Sequence, residues 1–425
     1  MKKLLSLLLM FSAMLFMVSC GDDDDDDDAT PAPSGNDTDN TDQPVGELVT
    51  ISANITADES WSTGNTYVLD GRIAVESGAT LSIEPGVVVK GETGEGANAS
   101  ALLIARGAKI MAEGTADAPI IFTTVLDDIE PGEIESPNLD EFDVANWGGL
   151  IILGNAPISA DAEAVQIEGI PADDTNGLYG GTNASDNSGV LRYVSVRHGG
   201  ANIGEGNEIN GITLGGVGSG TTIEFVEVVA NQDDGIEFFG GTVNVSNALV
   251  WAQQDDAFDV DQAYSGTIDN FVYIAGEESD HGLEIDGPEG TATAGFTMTN
   301  GTLKGLAAEI GDFRDGAEGD VSGLYIFGFP DPITSEGEGD LELDNDGVSA
   351  NYAGGKIVFA DFEITLASGA TLEKTFVDKA DNPTSRLGDD IAGFVTEVAE
   401  GANTVGADTS VFGWTFASAS GALDF

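Results

Sequence analysis

Pairs of aspartates recur at one kind of turn in the middle of the chain, and they are the residues best suited to chemistry. The turns read Asn-Gln-Asp-Asp-Gly over residues 231–235, Gln-Gln-Asp-Asp-Ala over 253–257 and Ser-Asp-His-Gly over 279–282. Closely spaced carboxylates can hold a metal ion or divide the roles of acid and base between them. If these turns lie over one another, Asp233 approaches Asp255, and Asp234 approaches Asp256.

The strands around these turns repeat at a spacing that favours such stacking. Apolar segments begin at Ile223, Val245 and Ile268, which are 22 and 23 residues apart, and each is followed by a turn and a second short strand. Aligned on this repeat, the second strands form two apolar columns around a polar one: Ile212, Ile236, Phe258 and Leu283; Leu214, Phe238, Val260 and Ile285; and Thr213, Glu237, Asp259 and Glu284. Alternate side chains of a strand point to opposite faces, and one winding cannot bury its apolar face alone.

The repeat therefore predicts an all-β fold, a single right-handed parallel β-helix with loop excursions and capped ends. We expect it to span residues 48–425. The polar segments 126–146, 171–187 and 331–351 are expected to be loops, and the aromatic segment 411–416 is expected to cap the open end.

A metal site is one hypothesis for the acidic corner. Calcium binds several carboxylate and carbonyl oxygens, although neither the EF-hand spacing nor the Gly-Gly-x-Gly-x-Asp repeat is present. The candidate ligands are Asp234, Glu237, Asp259, Asp261, Glu284 and Asp286. The alternative is structural, because Asp-Asp-Gly also forms turns in which the carboxylates accept backbone hydrogen bonds and face water.

Three stretches carry a resemblance to a known family. They are Val68–Gly91, Ala101–Thr123 and Trp147–Leu153. In these stretches the chain closely resembles the pectin-lyase-like β-helix proteins that are common on the surface of Bacteroidota, and the resemblance spans most of residues 48–425. It implies the architecture but leaves the activity open, since that fold carries lyases, hydrolases, adhesins and scaffolds.

The acidic corner is also similar, in part, to the active site of polygalacturonase-type glycosidases. The matching residues are Asn231-Gln-Asp233, Asp255-Asp256, Asp280-His-Gly282 and, less clearly, Lys304. The resemblance implies inverting hydrolysis, with Asp256 as general acid, Asp233 and Asp255 activating water, and His281 holding the acid in place. The chain departs from this pattern, because Asp280 replaces a glycine and no Arg-x-Lys is present.

Three other side chains are candidates for ligand binding. Trp251 falls in one column with Arg197, Val229 and Ile274, so on an exposed face it could stack on a sugar ring. Arg197 and His198 precede Gly199 and could contact a ligand at the turn. The alternative is that His198 is a structural residue and that Trp251 packs under a loop.

The first residues resemble a bacterial lipoprotein signal. Lys2 and Lys3 precede an apolar run of signal-peptide length that ends at Cys20, the only cysteine of the chain. We expect residues 1–20 to be a signal peptide with a lipidated Cys20, and residues 21–47 to be an acidic flexible tether. The aspartate run 22–28 looks like the export signal of Bacteroidota surface lipoproteins, which implies anchoring in the outer membrane and display at the cell surface.

The net charge of −61 limits the partners. It disfavours nucleic acid and anionic lipid, and it favours divalent cations, so Ca²⁺ is the one cofactor that we expect. We expect a monomeric, lipid-anchored glycan-binding or adhesive scaffold that is not an enzyme. The alternative is a polysaccharide-degrading hydrolase or lyase that uses the stacked carboxylates.

Overall fold

Parallel stacking of short strands accounts for most of the regular structure. The computed structural model describes residues 46–203, 209–332 and 339–425, and these belong to one unit that spans Val45–Phe425. Cys20, the aspartate run and the tether up to residue 45 lie outside the described residues. Among the helices of the described residues, none combines the length and the apolar character that crossing a bilayer requires.

The strands are short and follow one another closely along the chain. The first are β1 (Leu48–Ile51), β2 (Glu59–Trp61), β3 (Thr66–Leu69), β4 (Arg72–Val75), β5 (Thr80–Ile83), β6 (Val88–Gly91), β7 (Ala101–Ile104), β8 (Lys109–Glu113) and β9 (Ile120–Thr124). The central strands are β10 (Leu150–Leu153), β11 (Val165–Gln166), β12 (Leu178–Tyr179), β13 (Gly189–Arg197), β14 (Ile212–Gly215), β15 (Thr222–Val229), β16 (Ile236–Phe239), β17 (Asn244–Trp251), β18 (Phe258–Asp261), β19 (Thr267–Ile274) and β20 (Leu283–Ile285).

The last third of the chain adds further strands and most of the helices. Its strands are β21 (Phe296–Lys304), β22 (Gly311–Phe313), β23 (Gly319–Ser322), β24 (Tyr325–Phe327), β25 (Leu341–Leu343), β26 (Ile357–Ala360), β27 (Phe362–Thr365), β28 (Phe376–Asp378) and β29 (Val395–Glu397). The α-helices are α1 (Asp346–Ala353), α2 (Leu372–Thr375), α3 (Leu387–Phe394) and α4 (Phe416–Ala419), and short 3-10 turns occur at Gly96–Asn98, Thr175–Gly177 and Thr409–Phe412.

Two long sheets are built from successive windings. One has ten strands in the order β4, β7, β10, β14, β16, β18, β20, β22, β25 and β28, and the other has seventeen. Every pairing in these two sheets is parallel, and the small β11–β12 pair is antiparallel. Ile223 pairs with Val245, and Val245 pairs with Ile268, as the repeat predicts. The prediction of an all-β parallel β-helix is confirmed.

A left-handed backbone residue bends each long strand of the larger sheet. Values of φ between 49° and 57° occur at Tyr193, Phe225, Asn247, Asn270 and Asn300. Asparagine tolerates this conformation better than most residues because its short polar side chain can hydrogen-bond locally. The bend resets the alternation of side chains, so that Ile223 and Val226, three positions apart, both enter the core.

Helix α3 covers the C-terminal end of the core, which corrects the expectation for residues 411–416. Phe394 of α3 packs on Phe359, Phe362 and Phe376, with ring centroids 5.6–5.8 Å apart. The segment 331–351 is also more than a loop, because it contains β25 and the start of α1. These helices were not predicted from the sequence because they are short and each occurs once, whereas the strands repeat.

The chain after β29 forms a C-terminal strap, residues 398–425, that returns along the outside of the seventeen-stranded sheet. The backbone N–H of Gly401 donates to the Tyr325 hydroxyl (3.0 Å), and that of Ala407 donates to Thr302 Oγ1 (2.8 Å). Further along, Phe416 packs edge-on against Trp251, with centroids 5.6 Å apart. The strap therefore covers an apolar side of the stack that would otherwise face water.

Candidate metal centre

A ladder of acidic side chains runs up the outer face of the ten-stranded sheet. It is formed by Glu237, Asp259, Glu284, Asp312 and Glu342, each paired in register with the next. These positions lie between core residues of the same strands, so their side chains must point away from the core. In-register stacking thus places like charges at about 4.8 Å intervals, which requires compensation from protons, cations or hydrogen bonds.

Three members of the ladder, Glu237, Asp259 and Glu284, line an acidic groove of about 580 Å³. Glu168, Asp261, Asp286 and Glu289 contribute further carboxylates to the lining, and Phe239 contributes an aromatic ring. A volume of this size is typical of sites for small ligands. Its composition indicates a ligand that brings positive charge or that can donate several hydrogen bonds.

Arginine and lysine neutralise one part of the ladder. Arg314 lies 2.6 Å from Glu284 Oε1 and 2.8 Å from Asp286 Oδ1. Lys379 forms ion pairs with Glu342 and with Asp340, the latter at 3.4 Å. These contacts give four acids a resident counter-ion supplied by the protein itself.

His281 supplies a third positive charge. Its Nδ1 lies 2.7 Å from Asp256 Oδ1, and its Nε2 lies 3.4 Å from Glu309 Oε2. Burial alone would lower the pKa of His281, but the hydrogen bonds to Asp256 and Glu309 outweigh it and raise the pKa to about 11. The side chain is therefore an imidazolium at neutral pH.

Three further acids lack such a counter-ion among the described residues. They are Asp234, Glu237 and Asp259, which we call the carboxylate triad. Their side chains are only 6, 6 and 7 % exposed. One oxygen of each lies within 4.8 Å of the others. Within residues 46–203, 209–332 and 339–425, no ion pair includes a member of the triad.

Hydrogen bonds satisfy the triad only in part. The backbone N–H of Asp256 donates to Asp234 Oδ1 (3.0 Å), and the Asn210 amide donates to Glu237 Oε2. Asp259 Oδ1 is buried and accepts no hydrogen bond from the protein. Burial, followed by repulsion from neighbouring acids, raises the pKa of all three carboxyls well above the usual range. A divalent cation would remove this cost, and carboxylate oxygens are the ligands that calcium prefers.

The larger architecture has a counterpart among known proteins. A family model described as a pectate-lyase-like β-helix domain matches residues 53–415. The chain belongs to the pectate-lyase-like β-helix family. No curated protein and no solved structure matches it in the corresponding comparisons. Membership of this family fits either glycan binding or polysaccharide degradation.

The six carboxylates predicted to bind metal separate into three environments. Asp234, Glu237 and Asp259 form the triad. Glu284 and Asp286 are held by Arg314. Asp261 lies in the groove, where its Oδ1 accepts a hydrogen bond from the backbone N–H of Gln262 (2.6 Å). In the part of the chain that the structure describes, neither the triad nor Asp261 forms an ion pair, and only the triad brings three of the predicted oxygens together.

The residues predicted to be catalytic lie next to the triad. Oxygens of Asp233 and Asp255, the two residues predicted to activate water, lie within 4.8 Å of each other and of Asp234. Asp256 is 2 % exposed, and its Oδ1 lies 2.7 Å from His281 Nδ1. The general-acid role predicted for Asp256 is therefore not supported, because this carboxyl positions His281 and is shielded from solvent.

The ligand-binding role predicted for Arg197, His198 and Trp251 requires correction. Arg197 and His198 are fully buried, and Trp251 is covered by Phe416. The Arg197 guanidinium lies 4.8 Å from the centre of the Phe416 ring. These side chains anchor the C-terminal strap and are not available to a ligand from solution.

Several site residues were not predicted from the sequence. Asp312 and Glu342 extend the polar column of Thr213, Glu237 and Asp259, so continuing the alignment past Glu284 would have found them. Arg314 follows Asp312 by two positions and hence points to the same face. The turns between these strands vary in length, which obscured the register in this part of the chain.

The raised pKa values predict how stability depends on pH without metal. Burial raises the pKa of Asp312 to about 6 and is the largest cause of the rise to about 7 at Asp261. Such groups bind more protons in the folded state than in the unfolded state, so the free energy of unfolding falls as pH rises from about 4 towards 7. We expect urea unfolding in EDTA to show this decline, and Asp312→Asn to make it shallower. An unchanged slope in the variant would count against this assignment.

Proposed function

We propose that the protein is a calcium-binding, glycan-binding scaffold displayed at the cell surface and held in the outer membrane by a lipid on Cys20. The carboxylate triad carries this proposal, because three clustered buried acids, two of which line the groove, lack the counter-ions that the rest of the ladder has. A cation from solution fills that role most simply. The family to which the chain belongs supports a glycan as the ligand.

Surface display is supported by the order of segments at the N-terminus. A short basic segment, an apolar run and a lone cysteine are followed by seven aspartates and a polar tether. Replacing Cys20 with Ala should abolish incorporation of labelled fatty acid and release the protein from the membrane fraction. Protease accessibility on intact cells distinguishes the outer from the inner leaflet.

Retention on polysaccharide tests the binding function. We expect the protein to be retarded in gels that contain a recognised neutral polysaccharide when calcium is present, and to migrate freely in EDTA. A Glu237→Gln, Asp259→Asn variant should migrate freely under both conditions. Asp320→Asn, which removes an exposed acid from the other sheet, is the control for charge. Equal retardation of all variants would overturn the proposal.

Hydrolysis is the second candidate function, and Asp255 is the observation that favours it. This side chain is exposed at the edge of the corner, and burial of part of the carboxyl, with repulsion from Asp256, raises its pKa to about 6. A carboxyl that is partly protonated near neutral pH can act as an acid. Release of reducing sugar by the wild type and its loss in Asp255→Asn would establish the enzyme, and no release from any glycan tested would exclude it.

A further inference from the structure

We propose that the cation in the carboxylate triad binds two adjacent hydroxyl groups of a neutral sugar directly, so that the metal is itself the recognition element. This inference rests on the cation site proposed above and adds the chemical class of the ligand. It follows from the number of oxygens that the triad offers, from the side on which the site is open and from the charge of the groove.

The triad cannot complete the coordination of calcium. Its three carboxylates have six oxygens, of which Asp234 Oδ1 and Glu237 Oε2 already accept hydrogen bonds. Four oxygens remain, and one of them, Asp259 Oδ1, is buried without a partner. Calcium takes about 6–8 oxygen ligands, so at least about two positions are left for other donors.

Those open positions face the groove. Glu237 and Asp259 line it, whereas Asp234, in the turn before β16, does not. A ligand lying along the groove therefore reaches the cation from the side that the protein does not occupy. Two hydroxyls on neighbouring carbons are spaced to occupy adjacent coordination positions of one ion.

The walls of the groove select a neutral sugar over an acidic one. Asp261, Asp286 and Glu289 would repel the carboxylate of a uronic acid. Arg314 does not offset them, because Glu284 and Asp286 already hold its guanidinium. A neutral sugar instead donates its hydroxyl protons to the wall carboxylates while its oxygens bind the cation.

Terbium luminescence can test this contact, since Tb³⁺ replaces Ca²⁺ at oxygen sites and its lifetimes in H₂O and D₂O count bound water. The probes are β-1,4-linked mannohexaose, whose internal residues carry adjacent free hydroxyls, and a soluble β-1,3-glucan of high molecular weight, whose internal residues do not and whose chain ends are few. Trigalacturonate represents acidic sugars. We expect mannohexaose to displace about two waters from the bound ion, and the other two probes to displace none.

The outcomes separate this inference from the cation site. The cation site is supported if terbium binds the wild type and Asp320→Asn but not Asp259→Asn. The contact with sugar is supported if mannohexaose also removes water from the bound ion. If terbium binds but no probe changes its hydration, or if trigalacturonate displaces water equally well, the inference fails and the cation site stands. If terbium does not bind at the triad, both fail. Mannohexaose cleaved with periodate and then reduced should lose its effect.

Discussion

Replacing Asp259 with Asn is expected to stabilise the protein in EDTA and to make it less stable than the wild type in calcium. Without metal, the wild type buries a carboxyl whose Oδ1 has no partner, and neighbouring acids repel its charge. Asparagine keeps the shape and removes the charge, which should add about 1–3 kcal/mol to the free energy of unfolding.

In calcium, the wild type should instead have the larger free energy of unfolding of the two proteins. With a dissociation constant of about 10 µM, 1 mM free calcium stabilises the wild type by about 2.7 kcal/mol. The Asn variant should gain little, because one of the three charged ligands is missing. Urea unfolding at pH 7.5 in 0.15 M NaCl, with either EDTA or calcium, measures both effects.

Asp320→Asn is the matched control for this crossover. It removes one negative charge from an exposed position on the seventeen-stranded sheet, so it should follow the wild type under both conditions. If the stability of Asp259→Asn also equals that of the wild type under both conditions, the charge of Asp259 neither destabilises the metal-free protein nor contributes to calcium binding.

Replacing Glu227 with Ala is expected to cost about 3–5 kcal/mol and to release the C-terminal strap. Glu227 is fully buried and accepts hydrogen bonds from Ser195 Oγ (2.6 Å) and from the backbone N–H groups of Phe416 (3.1 Å) and Ala417 (2.9 Å). Its loss leaves the buried Arg197 guanidinium without its nearest acid, which lies 3.8 Å away.

Limited proteolysis should detect the release of the strap, and urea unfolding should measure the loss of stability. We expect cleavage within residues 398–425 of the variant at protease concentrations that leave the wild type intact. Glu224→Ala is the control, because Glu224 lies on the same strand and pairs with Arg192 at a partly exposed position. Its loss should cost at most about 1 kcal/mol. A similar response of the two variants would contradict the role given to Glu227.

The sequence predicts the stack well because register in a parallel β-helix depends on a local pattern repeated at nearly constant spacing. Glu237, Asp259 and Glu284 lie side by side as the alignment predicts. The strap could not be predicted in this way, because Phe416 meets Glu227 across 189 positions of the chain. No periodicity connects those two residues.

The sequence predicts where the acidic side chains of the candidate site lie, but it does not predict which basic side chains pair with them. The column of carboxylates follows from the repeat, whereas the positions of His281, Arg314 and Lys379 depend on which side chains reach across from the next winding. These cations distinguish the compensated part of the ladder from the triad. Without them, Glu284 and Asp286 appear equivalent to Asp234, Glu237 and Asp259, and the predicted ligands could only be treated as one set.

Isothermal titration of the protein with calcium at 0.15 M NaCl tests the central claim most directly. We predict one site per chain with a dissociation constant in the range of about 10⁻⁷–10⁻³ M. We also predict that this site disappears in the Glu237→Gln, Asp259→Asn variant and persists in Asp320→Asn. Absence of saturable binding to the wild type, or equal binding by the doubly substituted protein, would contradict the claim that the triad holds a cation.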